Sequence, residues 1–281
     1  MTQIFANSAA AALVAIAMGV LSHPVVAQPL PATLAKAGLL KVGVRCDRPP
    51  YGFRDQQSQI VGIEVEMAKA LAAQAFGSPD KIELTCVTAE NRIAQLNSGK
   101  VDILLASIGY TEERAKAVDF SQVYFWEGTD TLVPVDSAIK KLSDLNGKRL
   151  IVLKGTVQAA WAEKEYPNGE TLRLNTSSDA LQALKQDRGD AYVHQQSVLG
   201  VIAAKDSSVR LIGELFNFGG ASMAWRKGEP DMLDYMNGFL DRLKKEDRYE
   251  KWIDLYAPAE LKAFYHTSLY EPMPGDGRRP K

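Results

Sequence analysis

The chain of 281 residues lacks most of what marks a metalloenzyme, a hydrolase or a polyanion binder. It holds three histidines and two cysteines, with no C-x-x-C and no H-E-x-x-H, so no metal site and no cofactor are expected. G-x-S-x-G and G-x-x-x-x-G-K-[ST] are also absent, which removes the nucleophile elbow and the P-loop. Basic residues are not in excess: 33 Lys and Arg stand against 34 Asp and Glu, so nothing would neutralise a nucleic-acid backbone. Beyond residue 27 no stretch approaches the ~18 apolar residues of a membrane span. What remains, 46% hydrophobic and 24% charged, suits one large globular domain or two lobes.

Charge is also missing from residues 1–27, which contain no Asp, Glu, Lys or Arg. Ala9 to Leu21 is an unbroken apolar run, too short to span a bilayer comfortably, and Val25-Val26-Ala27 places small residues before Gln28. The n-region lacks its usual Lys or Arg, yet the segment reads as a cleavable signal peptide, 1–27, with export to the periplasm. No cysteine stands directly after the apolar run, at the cleavage position, so a lipoprotein is not expected. The two cysteines, Cys46 and Cys86, fall near the ends of expected strands Lys41–Arg45 and Ile82–Val87. In an exported chain they are a possible disulfide pair.

From Leu39 the pattern alternates strand and helix. Strand Leu40–Arg45, helix Glu64–Phe76, strand Ile82–Val87, helix Glu90–Asn97, strand Val101–Ala106 and helix Glu112–Val118 follow in turn. A second series begins with strand Arg149–Leu153 and helix Val157–Tyr166. It continues through Thr171–Leu174, Ser178–Gln186, Asp190–His194, Ser197–Lys205 and Val209–Ile212. Alternation of this kind makes parallel βαβ units, and two series imply two α/β lobes with crevices at strand C-termini. Ala221–Trp225 and helices Asp231–Lys245 and Arg248–Tyr256 complete the fold. After Pro258 the composition is mixed, and 258–281 is expected to be a disordered tail.

Four arginines fall at element ends in the first half: Arg45, Arg48, Arg92 and Arg114. Arg114 sits in a first helical turn, where a cation is disfavoured; either an anion docks on it or it is solvated or paired with Glu113. Convergence of all four would call for an anionic ligand, whereas separate exposed arginines would not. Lys154-Gly155-Thr156 is a strand-to-helix turn that can cradle a carboxylate. Tyr51 and Phe53 suit either a crevice wall or the core. His194, at a strand end, is either an acid–base group or simply hydrogen-bonded.

Several segments together resemble solute-binding protein family 3, the polar amino-acid receptors of ABC importers. They are Val42-Gly43-Val44 with Pro49-Pro50-Tyr51, Gly62-Ile63-Glu64-Val65-Glu66-Met67, Asn91-Arg92-Ile93, Ser98-Gly99-Lys100-Val101-Asp102, Thr111-Glu112-Glu113-Arg114, Asp119-Phe120-Ser121 and Asp144-Leu145-Asn146-Gly147-Lys148. The set covers residues 38 to 256. The resemblance implies a type II periplasmic-binding fold: two lobes, each a mainly parallel sheet flanked by helices, joined by two hinge strands. Lobe 1 would be 28–134 with 220–257, and lobe 2 would be 135–219.

It further implies a monomer that hands an acidic amino acid to an inner-membrane permease. Arg114 would clamp the α-carboxylate, aided by Ser107, Gly155 and Thr156. Arg45, Arg48 and Arg92 would receive the side chain, with Tyr51 and Ile63 also at the ligand. Gly109 and Gln195, beside His194, stand where the family holds the ligand ammonium, unless Glu127 or Asp130 supplies that charge. The expected ligand is therefore glutamate or aspartate. The alternatives are another amino acid, a dicarboxylate without the α-amino group, or turnover by a cyclohexadienyl-dehydratase-like enzyme.

Overall fold

The computed structural model describes residues 29–167 and 169–273; the expected signal peptide lies outside these residues. Helix α1 (Ala32–Ala37) leads into β1 (Leu40–Val44), after which β2 (Asp47–Arg48), β3 (Gly52–Arg54) and β4 (Ile60–Val61) form a small antiparallel sheet. Then come α2 (Ile63–Phe76), β5 (Ile82–Cys86), α3 (Arg92–Asn97), β6 (Ile103–Gly109) and α4 (Glu112–Ala115). The long strand β7 (Val118–Pro134) crosses to β8 (Leu150–Leu153), α5 (Val157–Glu165), β9 (Thr171–Leu174), α6 (Ser177–Lys185), β10 (Ala191–Gln195), α7 (Gln196–Lys205) and β11 (Val209–Leu211). Strand β12 (Phe216–Arg226) returns, and α8 (Pro230–Lys245), α9 (Arg248–Tyr256) and α10 (Lys262–Tyr270) close the chain.

The main sheet runs β5-β1-β6-β12-β7-β10-β8-β9, with β11 beside β7. Its two outer parts are parallel: β5, β1 and β6 on one side, β10, β8 and β9 on the other. The two central strands pair antiparallel with each other and with their neighbours. Parallel neighbours need crossover helices, which cover the faces; β1, β6, β8 and β10 are accordingly almost wholly buried. The result is two α/β lobes joined by two hinge strands. No described helix is long and apolar enough to cross a membrane.

Local chemistry sets several boundaries. Thr111, Thr156 and Thr176 cap α4, α5 and α6 by accepting from N–H groups three residues on. Helix α2 can start against the Pro50–Tyr51 backbone because Gly62 has no Cβ, which would lie 2.4 Å from the Tyr51 carbonyl oxygen. Cys46 and Cys86 form a disulfide with Cα atoms 5.5 Å apart, tying the ends of β1 and β5.

The segment after Pro258 corrects the expected tail. Ala259–Leu261 is a 3-10 turn, and α10 packs on β7 and α9 with Tyr265 and Leu269 fully buried. Leu261, Tyr265 and Leu269 repeat at i, i+4, i+8, and burying that stripe outweighs the segment's mixed composition. Trp126 donates from Nε1 to the Glu271 carbonyl, and the Ser268 hydroxyl donates back to the Trp126 carbonyl. Helix α4 is also shorter than expected, because Val118 already belongs to β7.

Candidate functional site

A cavity of about 440 Å³ opens between the two parallel parts of the sheet. Nine of the residues expected at the ligand line it: Arg45, Arg48, Arg92, Ser107, Gly109, Arg114, Thr156, His194 and Gln195. The β1, β6, β8 and β10 ends and the hinge strands bring them together, as an open α/β sheet does at strand C-termini.

The arginines divide into two kinds. Arg45 makes a two-pronged ion pair with Asp47, at 2.9 and 2.8 Å. Arg48, buried over the rings of Tyr51 and Phe125, pairs with Glu127. Burial alone would lower the Arg48 pKa, but Glu127, with Tyr51 and Glu64, holds it above the ordinary arginine value. Glu127 also accepts from the Ser197 N–H at 2.9 Å, at the start of α7 where the helix dipole favours a carboxylate.

Arg92 and Arg114 have no carboxylate partner among the described residues. Arg92 donates from Nη1 to the Ala106 and Ser107 carbonyls at 2.7 and 3.2 Å, and its buried Nε has no partner. Burial, then Arg114, Arg45 and Arg48, push its pKa well below the usual arginine value. Arg114 donates from Nη1 to the Gly109 carbonyl at 2.7 Å and from Nη2 to the Gly155 carbonyl at 2.8 Å. It therefore bridges the two halves instead of pairing with Glu113. At this seam Gly155 has φ +69°, and a Cβ there would sit 2.6 Å from the Ala89 carbonyl oxygen.

The neutral groups are fixed in turn. Ser107, at φ 50°, donates both its N–H and its hydroxyl to Glu64 at 2.7 Å, and the Tyr124 hydroxyl donates to the same oxygen. Glu64 is thus the residue that locks the Ser107 backbone, and the Ser107 hydroxyl is already committed. His194 Nδ1 accepts from the Gln195 N–H at 2.8 Å, which leaves Nε2 to carry the proton of the neutral ring. Burial, then Arg48 and Arg45, hold its pKa well below the usual 6.5. Nε2 is buried without a partner, as are the side-chain oxygens of Gln158 and Gln195. The first turn of α5 (Val157, Gln158) also faces the cavity, where helix N–H groups lack intrahelical partners.

Three expected site residues stand elsewhere. Tyr51 is fully buried behind the cavity, stacked on Phe125 at 4.2 Å, and Ile63 lies in the core. Gly155 offers its carbonyl to Arg114 and lines the adjoining groove instead. Asp130 is turned away, accepting from the N–H groups of Thr131 and Gly213. Phe125, Trp161 and Phe218 add apolar wall that no motif marked.

Residues 40–258 match the bacterial extracellular solute-binding proteins, family 3. The chain belongs to that family. It is 36% identical to the glutamine-binding protein of Geobacillus stearothermophilus, over 66% of this chain and 71% of that protein. It is 26% identical to the glutamate/aspartate import solute-binding protein of Salmonella typhimurium, over 79% and 77%. The crystal structure of the cysteine-binding protein from Campylobacter jejuni superposes with a TM-score of 0.77 at 32% identity, over 81% of this chain and 93% of that one. This family 3 member therefore has the type II periplasmic-binding fold, and it is an amino-acid solute-binding protein of an ABC importer.

Proposed function

We propose that the protein works in the periplasm as a monomeric receptor and captures a ligand with two carboxylates, glutamate and aspartate being the amino acids of that class. One observation carries this reading. Of the lysines and arginines lining the cavity, Arg45, Arg48 and Lys164 are ion-paired, while Arg92 and Arg114 are not. Two guanidiniums without a carboxylate partner, Arg92 buried and Arg114 half-buried, call for two anionic groups. The expected role of three side-chain cations is thus narrowed to Arg92, with Arg45 and Arg48 shaping the wall around it.

In this reading lobe 1 comprises residues 28–134 and 220–257, and lobe 2 residues 135–219. Arg92 and Arg114 hold the ligand from lobe 1, while His194 and the first turn of α5 hold it from lobe 2. Contacts from both sides stabilise the closed arrangement, which the permease then receives. Micromolar affinity corresponds to about −8 kcal/mol. Hydrogen bonds to charged groups at about 1.5–3 kcal/mol each are sufficient to supply it.

A thermal-shift panel of the twenty amino acids and small dicarboxylates tests the assignment. Ligand at 100 times its Kd stabilises by about 2.7 kcal/mol, so a true ligand raises the midpoint visibly. Shifts confined to dianions are expected. Shifts with glutamine, arginine or cysteine and none with any dianion would overturn it.

A further inference from the structure

Both carboxylates lining the cavity, Glu127 and Glu165, are ion-paired, the second with Lys164 at 3.0 Å, although an amino-acid ligand brings an ammonium that needs acceptors. The carbonyls of Gly109 and Gly155 already receive Arg114, and those of Ala106 and Ser107 receive Arg92. Glu127 spends one carboxylate oxygen on Arg48 and the other on the Ser197 N–H. Asp47 spends both of its oxygens on Arg45. Gly109 contributes no side chain, and a Cβ there would face the Gly220 carbonyl oxygen at 3.3 Å. Gln195 and Gln158 offer only neutral amide oxygens.

Among the residues lining the cavity, Arg48 Nε, Arg92 Nε and His194 Nε2 are buried donors without a partner, and they suit an oxygen-bearing anion. The field beside Arg92 is mainly of the same sign. After burial, Arg114, Arg45 and Arg48 each push the Arg92 pKa down and Glu64 opposes them with a smaller effect, so a second cation placed beside Arg92 meets net repulsion.

We propose that the ligand's amino group meets only neutral acceptors and no counter-charge, and that the receptor takes dicarboxylates without an ammonium, of the glutarate or 2-oxoglutarate type, at least as tightly as glutamate. This rests on the two-carboxylate reading above. Calorimetric titration of the wild-type protein with glutarate, 2-oxoglutarate, glutamate and glutamine tests the two separately. Glutarate or 2-oxoglutarate matching or exceeding glutamate is the expected result. Glutamate binding more than about tenfold tighter, about 1.4 kcal/mol, would overturn the proposal and leave the two-carboxylate reading intact. Binding of glutamine alone would overturn both.

A reciprocal variant adds the missing charge. Gln195→Asp is expected to raise the glutamate-to-glutarate affinity ratio by at least about tenfold. An unchanged ratio in the folded variant counts against the proposal.

Discussion

The Arg48–Glu127 pair is the most consequential internal contact in the cleft, and Glu127→Gln isolates its charge. Arg48 and Glu127 are 1% and 3% exposed, so neither reaches bulk water. The glutamine keeps the shape and an acceptor for the Ser197 N–H but leaves a guanidinium buried over two aromatic rings without its counter-ion. Breaking a buried pair on one side costs about 3–5 kcal/mol. That is a large share of a typical ~5–15 kcal/mol total. At ~2–4 °C per kcal/mol for a chain of this size, the melting midpoint falls by about 6–20 °C. The double variant Arg48→Met, Glu127→Leu removes both charges and is expected to recover most of the loss, because apolar replacement of a buried pair is often near neutral. Calorimetric unfolding of wild type, Arg48→Met, Glu127→Leu and the double closes the cycle, with Glu127→Gln measured beside it. A Glu127→Gln loss below about 1 kcal/mol, or a double variant as damaged as the sum of its singles, would refute the reasoning.

Other consequences follow from the same geometry. Gly155→Ala drives a methyl against the Ala89 carbonyl across the seam and is expected to weaken ligand binding at least about tenfold, or 1.4 kcal/mol; ligand-induced compaction by small-angle scattering should be reduced. Normal binding and normal compaction would show that the seam does not close there. His194 is held neutral by burial, so its folded pKa lies well below the usual 6.5. As pH falls through 6.5 the unfolded chain binds the proton first, and stability is lost by up to about 1.4 kcal/mol per pH unit. His194→Gln is expected to flatten that part of the profile between pH 7 and 5; parallel profiles would contradict the neutral assignment.

Much of the fold is legible in the sequence because strand and helix periods alternate cleanly and threonine caps mark the helix starts. The hinge is less so: β7 runs through 17 residues and changes partners from β12 to β10 and β11, which no local period announces. The i, i+4, i+8 stripe of Leu261, Tyr265 and Leu269 marks the segment of α10, while its mixed composition points the other way. At the site, the element-end positions of four arginines suggest convergence but leave separate exposed arginines open. They do not show the pairing. Arg48 meets Glu127 at a sequence separation of 79 residues, and Arg114 meets Gly155 at 41, so the split into compensated and uncompensated cations is a tertiary fact.

The central claim is that Arg114 and Arg92 each receive one carboxylate of the same ligand. Its most direct test is the affinity of wild type and Arg92→Met for glutarate and for its monoamide, measured by calorimetry. The account predicts that Arg92→Met costs the dicarboxylate at least about tenfold more than the monoamide, a difference of about 1.4 kcal/mol. Equal losses for the two ligands would contradict it.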